Sequence, residues 1–600
     1  MTIELSGIGV SHGIAIGRAM VLGRWQLDVP HYRVVPEEVP RELRRLARAL
    51  KQARGEIEAL RDQTKQRLGA KYAAIFDAHL LILDDRKLLR ETRRRIRERR
   101  MNSEWAVAAS VQQVLDALMS VDDPYIRERG GDITDVHERL QRIFLGQDNP
   151  HHHDLQLTAD TVVVAHALNP SDAVWLHQAH IVGFVTEAGG KTSHTAILAN
   201  ALDIPAVLGV DEATRHARDG DLLVVDGHHG MVIVEPDEQQ LDRLTAERAH
   251  LQQIEVGLVG QRGPAVTRDG IELRVAANIE FPEEMTTVRR VGAQGVGLYR
   301  SEFLFLTSSP QLPSEEDHVR AYRQIAERAE GELVVIRTLD LGGEKYFHEV
   351  LDGEETNPVL GMRAVRFCLA RPDIFRTQLR GLLKVAHEVG NVWIMVPMIS
   401  GLAEWRAVKS FFETIKKELR EEGIDPAGVP LGCMIEVPSA ALVADQLARE
   451  ASFLSIGTND LVQYTLAVDR NNLSVSYLND PWHPAVMRLV RDTIAAGHAA
   501  GTPVSLCGEF ASDPFGALTL LGLGLTMFSC TPTSIPEIRS LLRAASAWEA
   551  KRVVEEAMRL GTGREIRERV EDAFGELVEN VLGPELSPLP AREATRQPRT

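Results

Sequence analysis

Residues 189–200 read Gly-Gly-Lys-Thr-Ser-His-Thr-Ala-Ile-Leu-Ala-Asn, a cluster whose residue types suit the handling of an anion. An apolar run over 179–185 leads into Gly189-Gly190, and a small-residue helical pattern follows from Ser193. Strand, glycine turn and helix in that order aim several backbone N–H groups at the turn, where the helix dipole favours negative charge. His194 stands there among the hydroxyls of Thr192, Ser193 and Thr195. An imidazole at an anion-binding helix start points to a histidine that carries a phosphoryl group. Gly190-Lys191-Thr192 imitates the end of a nucleotide P-loop, but Val185 stands where that motif needs its first glycine. Serine and threonine are also ordinary helix caps, so this stretch alone leaves a capped turn with an incidental histidine as the plain alternative.

A second set of chemical residues lies further along. Apolar, β-rich runs separated by helical patterns occur at 273–278, 295–300, 333–340, 392–398, 432–437, 453–460, 504–509 and 526–530. Their count and span predict a (β/α)8 barrel, the fold whose working residues stand at the C-terminal ends of the strands. Those ends carry Arg300, Arg337, Glu436, Asn459-Asp460 and Cys507-Gly508-Glu509, with Arg470 in a following loop. Guanidinium forks grip phosphate and carboxylate bidentately, so the arginines with Asn459 suit a small polyanion. Glu436 and Asp460 offer two hard oxygen ligands from adjacent strands, the donor set Mg²⁺ takes beside a substrate phosphate. Cys507 precedes a glycine and faces the mouth, where a thiol with a pKa within reach of neutrality can donate a proton; read plainly, it is a small buried hydrophobe. Any one of these charges alone would be a surface salt bridge. Their gathering on the strand ends of one barrel is what makes them a site.

The remaining sequence must position these groups. Six hundred residues exceed one core and predict several domains. Hydrophobic content of 44%, charged content of 26% and a formal net charge of −17 fit a soluble enzyme and argue against non-specific nucleic-acid binding. No apolar run reaches membrane-spanning length, the N-terminus lacks a signal-peptide pattern, and the four cysteines are scattered without zinc-like pairing, so a reduced, cytoplasmic setting is expected. Residues 3–24 alternate glycine with apolar residues and must join a sheet made later in the chain. From 37 to 145 the pattern is helical, with Leu43, Leu46, Leu50, Ala53, Ile57 and Leu60 forming one seam. The arginine run within 93–100 reads as a solvated helix face. His151-His152-His153 share no one face of a regular element and make a poor metal site. Residues 161–234 read as α/β, with strands at 161–165, 181–186, 222–226 and 231–234, and a charged helix over 238–253 links to the barrel half.

The motifs together resemble Enzyme I of the bacterial phosphotransferase system over nearly the whole chain. Those that carry the resemblance are Ser6-Gly-Ile-Gly-Val-Ser-His-Gly-Ile-Ala-Ile-Gly17, Glu187-Ala-Gly-Gly-Lys-Thr-Ser-His194, Gly297-Leu-Tyr-Arg300-Ser-Glu-Phe-Leu, Arg337-Thr-Leu-Asp-Leu-Gly-Gly343, Asn357-Pro-Val-Leu-Gly-Met-Arg363, Met434-Ile-Glu436-Val-Pro438, the run from Ser455 through Asn459-Asp460 to Arg470, and Leu506-Cys507-Gly-Glu509. The barrel motifs alone are shared by the wider phosphoenolpyruvate-utilising group. A dikinase or phosphoenolpyruvate synthase would need an ATP-binding domain, for which no segment before 150 has room. A regulatory phosphorelay stays open, because the downstream partner is invisible in the sequence.

The resemblance implies an α/β phosphohistidine domain from 1–24 plus 146–235, an inserted α-helical subdomain at 25–145, a linker at 236–262, a (β/α)8 barrel at 263–580 and a tail at 581–600. It implies that His194 is phosphorylated on Nε2, that Arg300, Arg337, Asn459, Asp460 and Arg470 contact phosphoenolpyruvate, that Glu436 and Asp460 hold Mg²⁺, and that Cys507 protonates the enolate to give pyruvate. It further implies that the helical insertion docks the HPr-like phosphocarrier and that the barrel forms a homodimer. The His194 domain would swivel about its linkers to meet donor and acceptor in turn. Three positions depart from the family pattern: His12 stands where many relatives carry proline, Lys191 replaces arginine, and Asn169 replaces a threonine thought to orient the histidine.

Overall fold

The computed structural model describes residues 2–10, 13–22, 29–68, 70–119, 124–146, 160–168, 181–188, 204–227, 229–246, 248–249, 263–307, 312–341, 357–469 and 475–583. The chain divides into two compact units, Met1–His250 and Leu251–Thr600.

In the first unit the early strands β1 (Ile3–Ser6), β2 (Ile8–Gly9) and β3 (Ile14–Leu22) join β4 (Thr161–Ala165), β5 (Gly183–Thr186), β6 (Ala206–Leu208), β7 (Leu222–Asp226) and β8 (Met231–Val234). The sheet order is β1-β8-β7-β3-β4-β5-β6-β2. β3 sits inside it, antiparallel to β7 and parallel to β4. The β-branched run of β4 is wholly buried, as a strand covered on both faces must be. β6, only three residues long behind Pro205, escaped the sequence reading.

Between β3 and β4 the chain forms five helices, α1 (Val39–Leu68), α2 (Ala70–Leu83), α3 (Arg86–Arg99), α4 (Ser103–Met119) and α5 (Pro124–Leu145). Leu46, Ala53 and Ile57 of the expected seam are buried against Phe76, Ile96, Val107 and Leu140. Asp85 caps α3 by accepting the Leu88 N–H at 2.7 Å, where loss of such a cap costs about 1 kcal/mol. α3 buries Thr92 and Ile96 and leaves Arg93, Arg94, Arg97, Arg99 and Arg100 exposed, the solvated face its sequence implied. Helix α5 is longer at both ends than its apolar seam, 133–143, showed.

The second unit is the barrel. Strands β10 (Glu272–Ile279), β11 (Val296–Arg300), β12 (Val334–Arg337), β13 (Val392–Val396), β14 (Leu431–Ile435), β15 (Leu454–Ile456), β16 (Val504–Leu506) and β17 (Met527–Cys530) pair in parallel, each with the next, and β17 closes on β10. A short β9 (Ala265–Val266) pairs antiparallel with the start of β10. Alternation along each strand separates two cores. Val334, Ile336, Ile394, Cys433, Leu454 and Leu506 pack outward under the helices, while Val335, Met395, Met434, Phe453 and Cys507 gather in a smaller inner cluster. Arg337 and Glu436 each follow an inner residue by two positions, so the pleat carries them into the barrel mouth.

His318, in the helix Glu315–Arg328, is 1% exposed and contacts the Tyr322 hydroxyl through Nδ1 at 2.9 Å. Burial pushes its imidazole down to about 4. A depressed histidine leaves the unfolded chain binding more protons between that value and 6.5, so this part of the stability is present above pH 6.5 and lost on acidification toward pH 4. Between pH 7 and pH 5 the parent protein is expected to lose about 2 kcal/mol more from its barrel transition than His318→Phe does, read by denaturant unfolding at the two pH values. Equal losses would show that His318 is not the titrating group.

Candidate active site

Arg337, the last residue of β12, is the most constrained cation at the barrel mouth. Its Nη2 donates to Glu302 Oε1 at 3.1 Å and its Nη1 lies 2.8 Å from Asp340 Oδ2, all three side chains being nearly buried. Glu302 Oε1 also accepts the Asp340 backbone N–H at 3.0 Å, which ties the turn after β12 to the helix Glu302–Thr307 after β11. Burial alone would lower the guanidinium's pKa, but Glu302, Asp340, Glu436 and Asp460 outweigh it and hold Arg337 above its ordinary value. Burial pushes the Glu302 carboxyl up despite Arg337. Arg363 extends the cluster: Nη2 meets Asp340 Oδ1 at 2.8 Å, and Nη1 donates to the Tyr464 hydroxyl at 3.0 Å.

Glu436 follows β14 directly and is 1% exposed. One oxygen, Oε1, accepts the Met398 backbone N–H at 2.6 Å; the other, Oε2, has no hydrogen-bond partner among the described residues. Met398 makes that contact from the left-handed region, at φ 60°, a strained backbone for a residue with a Cβ. Asp460 Oδ1 also lacks a hydrogen-bond partner among the described residues, with Arg363 Nη1 3.7 Å away in an ion pair. Burial, then Asp460 and Asp340, raise Glu436 to about 8. Two buried carboxylate oxygens left without donors are costly unless a cation takes them, so the pair fits a hard divalent ion. No group of three or more His, Cys, Asp or Glu residues with metal-holding geometry occurs among the described residues. Gly457 makes room: a Cβ there would stand 2.8 Å from Glu436 Oε2.

The sequence placed Asn459-Asp460 at a strand end; the structure corrects this. β15 stops at Ile456, and both residues lie in the first turn of the helix Thr458–Leu466. Thr458 there crowds against Gly508, where any Cβ would collide with its hydroxyl. Asn459 Nδ2 donates to Glu509 Oε1 at 3.0 Å and its Oδ1 accepts the Glu509 N–H at 3.1 Å, joining the ends of β15 and β16. Arg300 is the open arginine, 43% exposed, with Nη1 on Glu280 Oε1 at 2.8 Å. Cys507 is 4% exposed in the inner cluster. Burial raises its thiol above the ordinary value, away from neutrality and not toward it as its sequence setting implied. A thiol that keeps its proton is the form an acid needs.

The described residues thus bring Arg337, Glu436 and Asp460 into one electrostatic cluster, with Cys507 feeling Arg337, Glu436 and Arg300. His194 and Arg470 lie outside the described residues, as do His12, Asn169 and Lys191. Sequence reasoning missed the roles of Glu302, Asp340, Arg363 and Tyr464, although all four lie inside motifs it quoted. Their acidic, basic and phenolic types beside Arg300, Arg337 and Asp460 were the available signal.

Three family models match the chain. One, described as a PEP-utilising enzyme, PEP-binding domain, covers residues 256–547; one described as PEP-utilising enzyme, N-terminal, covers 6–129; one described as PEP-utilising enzyme, mobile domain, covers 157–230. The chain is 40% identical over 575 residues to a phosphoenolpyruvate-protein phosphotransferase of Geobacillus stearothermophilus, covering 95% of this chain and 98% of the relative. It is 39% identical over 580 residues to the protein of the same name from Haemophilus influenzae, covering 96% and 100%.

Replacing Arg337 by methionine keeps most of its volume and strands two buried carboxylates. Arg337→Met is expected to destabilise the barrel by about 3–5 kcal/mol, the cost of breaking a buried ion pair from one side. Chemical denaturation measures it; a loss within about 0.5 kcal/mol, typical of surface changes, would mean that Glu302 and Asp340 do not depend on the guanidinium.

Proposed function

The chain belongs to the phosphoenolpyruvate-protein phosphotransferases, and from that premise we propose that it moves the phosphoryl group of phosphoenolpyruvate to its own His194 and then to the histidine of an HPr-like phosphocarrier. This is the first step of a phosphotransferase system that serves sugar uptake or its regulatory branch. The observation that supports it most is the pair of buried oxygens without a hydrogen bond among the described residues, Glu436 Oε2 and Asp460 Oδ1, beside the anchored Arg337.

In this reading Glu436 and Asp460 hold Mg²⁺, which supplies positive charge against the phosphate oxygens. Arg300, Arg337, Asn459 and Arg470 grip the phosphate and carboxylate of phosphoenolpyruvate, with Asp460 shared between metal and substrate. Guanidinium geometry suits both anions, and phosphoryl transfer depends chiefly on such positioning and charge stabilisation. His194 attacks as neutral imidazole through Nε2. Cys507 gives its proton to the enolate that departs, and its elevated thiol pKa keeps that proton in place until then.

The domain roles follow the same reading. Residues 1–24 and 146–235 form the phosphohistidine domain, 25–145 dock the carrier, 236–262 link, and 263–580 bind phosphoenolpyruvate and make the homodimer, with 581–600 as a tail. A cytoplasmic setting is supported by the four cysteines, all free and buried, and no described helix is long and apolar enough to cross a membrane.

Incubation with phosphoenolpyruvate labelled in its phosphoryl group, with Mg²⁺, is expected to give an acid-labile phosphoprotein, and His194→Ala to give none. Equal labelling of that variant would sink the assignment. Cys507→Ala is expected to slow pyruvate release by about a hundredfold or more, as removal of a general acid does. An unchanged rate would remove its role as proton donor.

A further inference from the structure

Below Cys507 the inner wall of the barrel carries two hydroxyls that the reading above does not use. Ser455, on β15, is fully buried; its Oγ donates to Cys507 Sγ at 3.4 Å. Ser505, on β16, donates to Ser455 Oγ at 3.0 Å. The thiol in turn donates to the Ile456 carbonyl at 3.7 Å. The three donors therefore form one head-to-tail chain that crosses back and forth between two adjacent parallel strands, and each bond in such a chain polarises the next. Val335, Met395, Met434 and Phe453 supply the apolar part of this inner wall, while Ser529 on β17 carries a further hydroxyl, which donates to Asn278 Oδ1.

We propose that Ser455, backed by Ser505, is a positioning residue for the proton donor Cys507, a claim that rests on the proton-donor reading of that thiol. When Cys507 acts, its S–H bond breaks and the electron pair stays on sulfur. The proton joins C3 of the enolate, whose double-bond electrons form the new C–H bond as the oxygen becomes a ketone. Sulfur is left as a thiolate in a buried site, where an uncompensated charge is expensive. The Ser455 O–H already aimed at Sγ becomes a charge-assisted hydrogen bond at that moment. Ser505 holds the Ser455 oxygen from behind, so the hydroxyl proton has sulfur as its target. Solvent water returns a proton to the thiolate after pyruvate leaves. The charged groups that act on the sulfur from the facing strand ends are Arg337, Glu436 and Arg300, none of which contributes a hydrogen bond to it among the described residues.

The test uses the full-length protein in single turnover with labelled phosphoenolpyruvate and Mg²⁺, following labelling of His194 and release of pyruvate separately. Ser455→Ala is expected to slow pyruvate release about tenfold, the scale of one hydrogen bond to a charged acceptor, while labelling slows far less. Ser505→Ala, which leaves the Ser455 hydroxyl but removes its backing, is expected to show the same split at about threefold, the lower range for a neutral hydrogen bond. Release and labelling falling together in both variants, or release unchanged in Ser455→Ala, overturns the inference. Cys507→Ala run alongside separates the two claims: slow release there with normal release in Ser455→Ala rejects only Ser455, and normal release in Cys507→Ala rejects the proton-donor reading itself.

Discussion

The guanidinium of Arg337 lies between the carboxylates of Glu302 and Asp340, and the barrel mouth is organised around that buried contact. Four carboxylates, Glu302, Asp340, Glu436 and Asp460, meet two guanidiniums, Arg337 and Arg363, leaving an excess of two negative charges if all are ionised. A low-dielectric site disfavours that imbalance. Burial first, and the neighbouring carboxylates after it, displace both Glu302 and Glu436 upward. A divalent cation, as proposed above, would match the excess in charge.

Much of this was legible in the sequence because the chemistry sits at strand ends. A run of apolar residues that stops at Arg300, Arg337 or Glu436 marks both the strand and the residue it delivers. The internal partners were harder. Arg363 reaches Tyr464 across 101 residues of sequence, and no local pattern encodes such a contact. The mistake at Asn459-Asp460 has a definite cause: Ser-Ile-Gly-Thr continues as though it were strand, but the backbone turns at Gly457 into a helix. The thiol's behaviour was misjudged because a strand-end position suggests access, whereas Cys507 proves to be buried.

The two cores of the barrel divide its tasks. The outer one, between strands and helices, is continuous and apolar and supplies most of the packing. The inner one is small and becomes polar toward the mouth, where Asn278 clamps the Cys507 and Ser529 carbonyls at 2.9 and 3.0 Å. Backbone strain at Met398 and missing side-chain volume at Gly457 both serve a single carboxylate, that of Glu436. Local conformational cost concentrated on one carboxylate is the pattern expected where the surrounding framework is stable enough to impose it.

The placement of β3 at the heart of the first unit's sheet has a consequence for how the chain is made. Val21 N–H bonds Asp219 across 198 residues of sequence, and Arg18 reaches Gly220 across 202. At about 5–20 residues per second on the ribosome, β3 emerges roughly 10–40 seconds before β7 exists to pair with it. The five helices between them are synthesised in that interval and can pack through local contacts while β3 remains a bare apolar strand. The nascent chain therefore carries an unpaired, sticky segment ahead of the helical insertion during the whole manufacture of that insertion, and the order of synthesis, more than final stability, sets where protection from aggregation is needed.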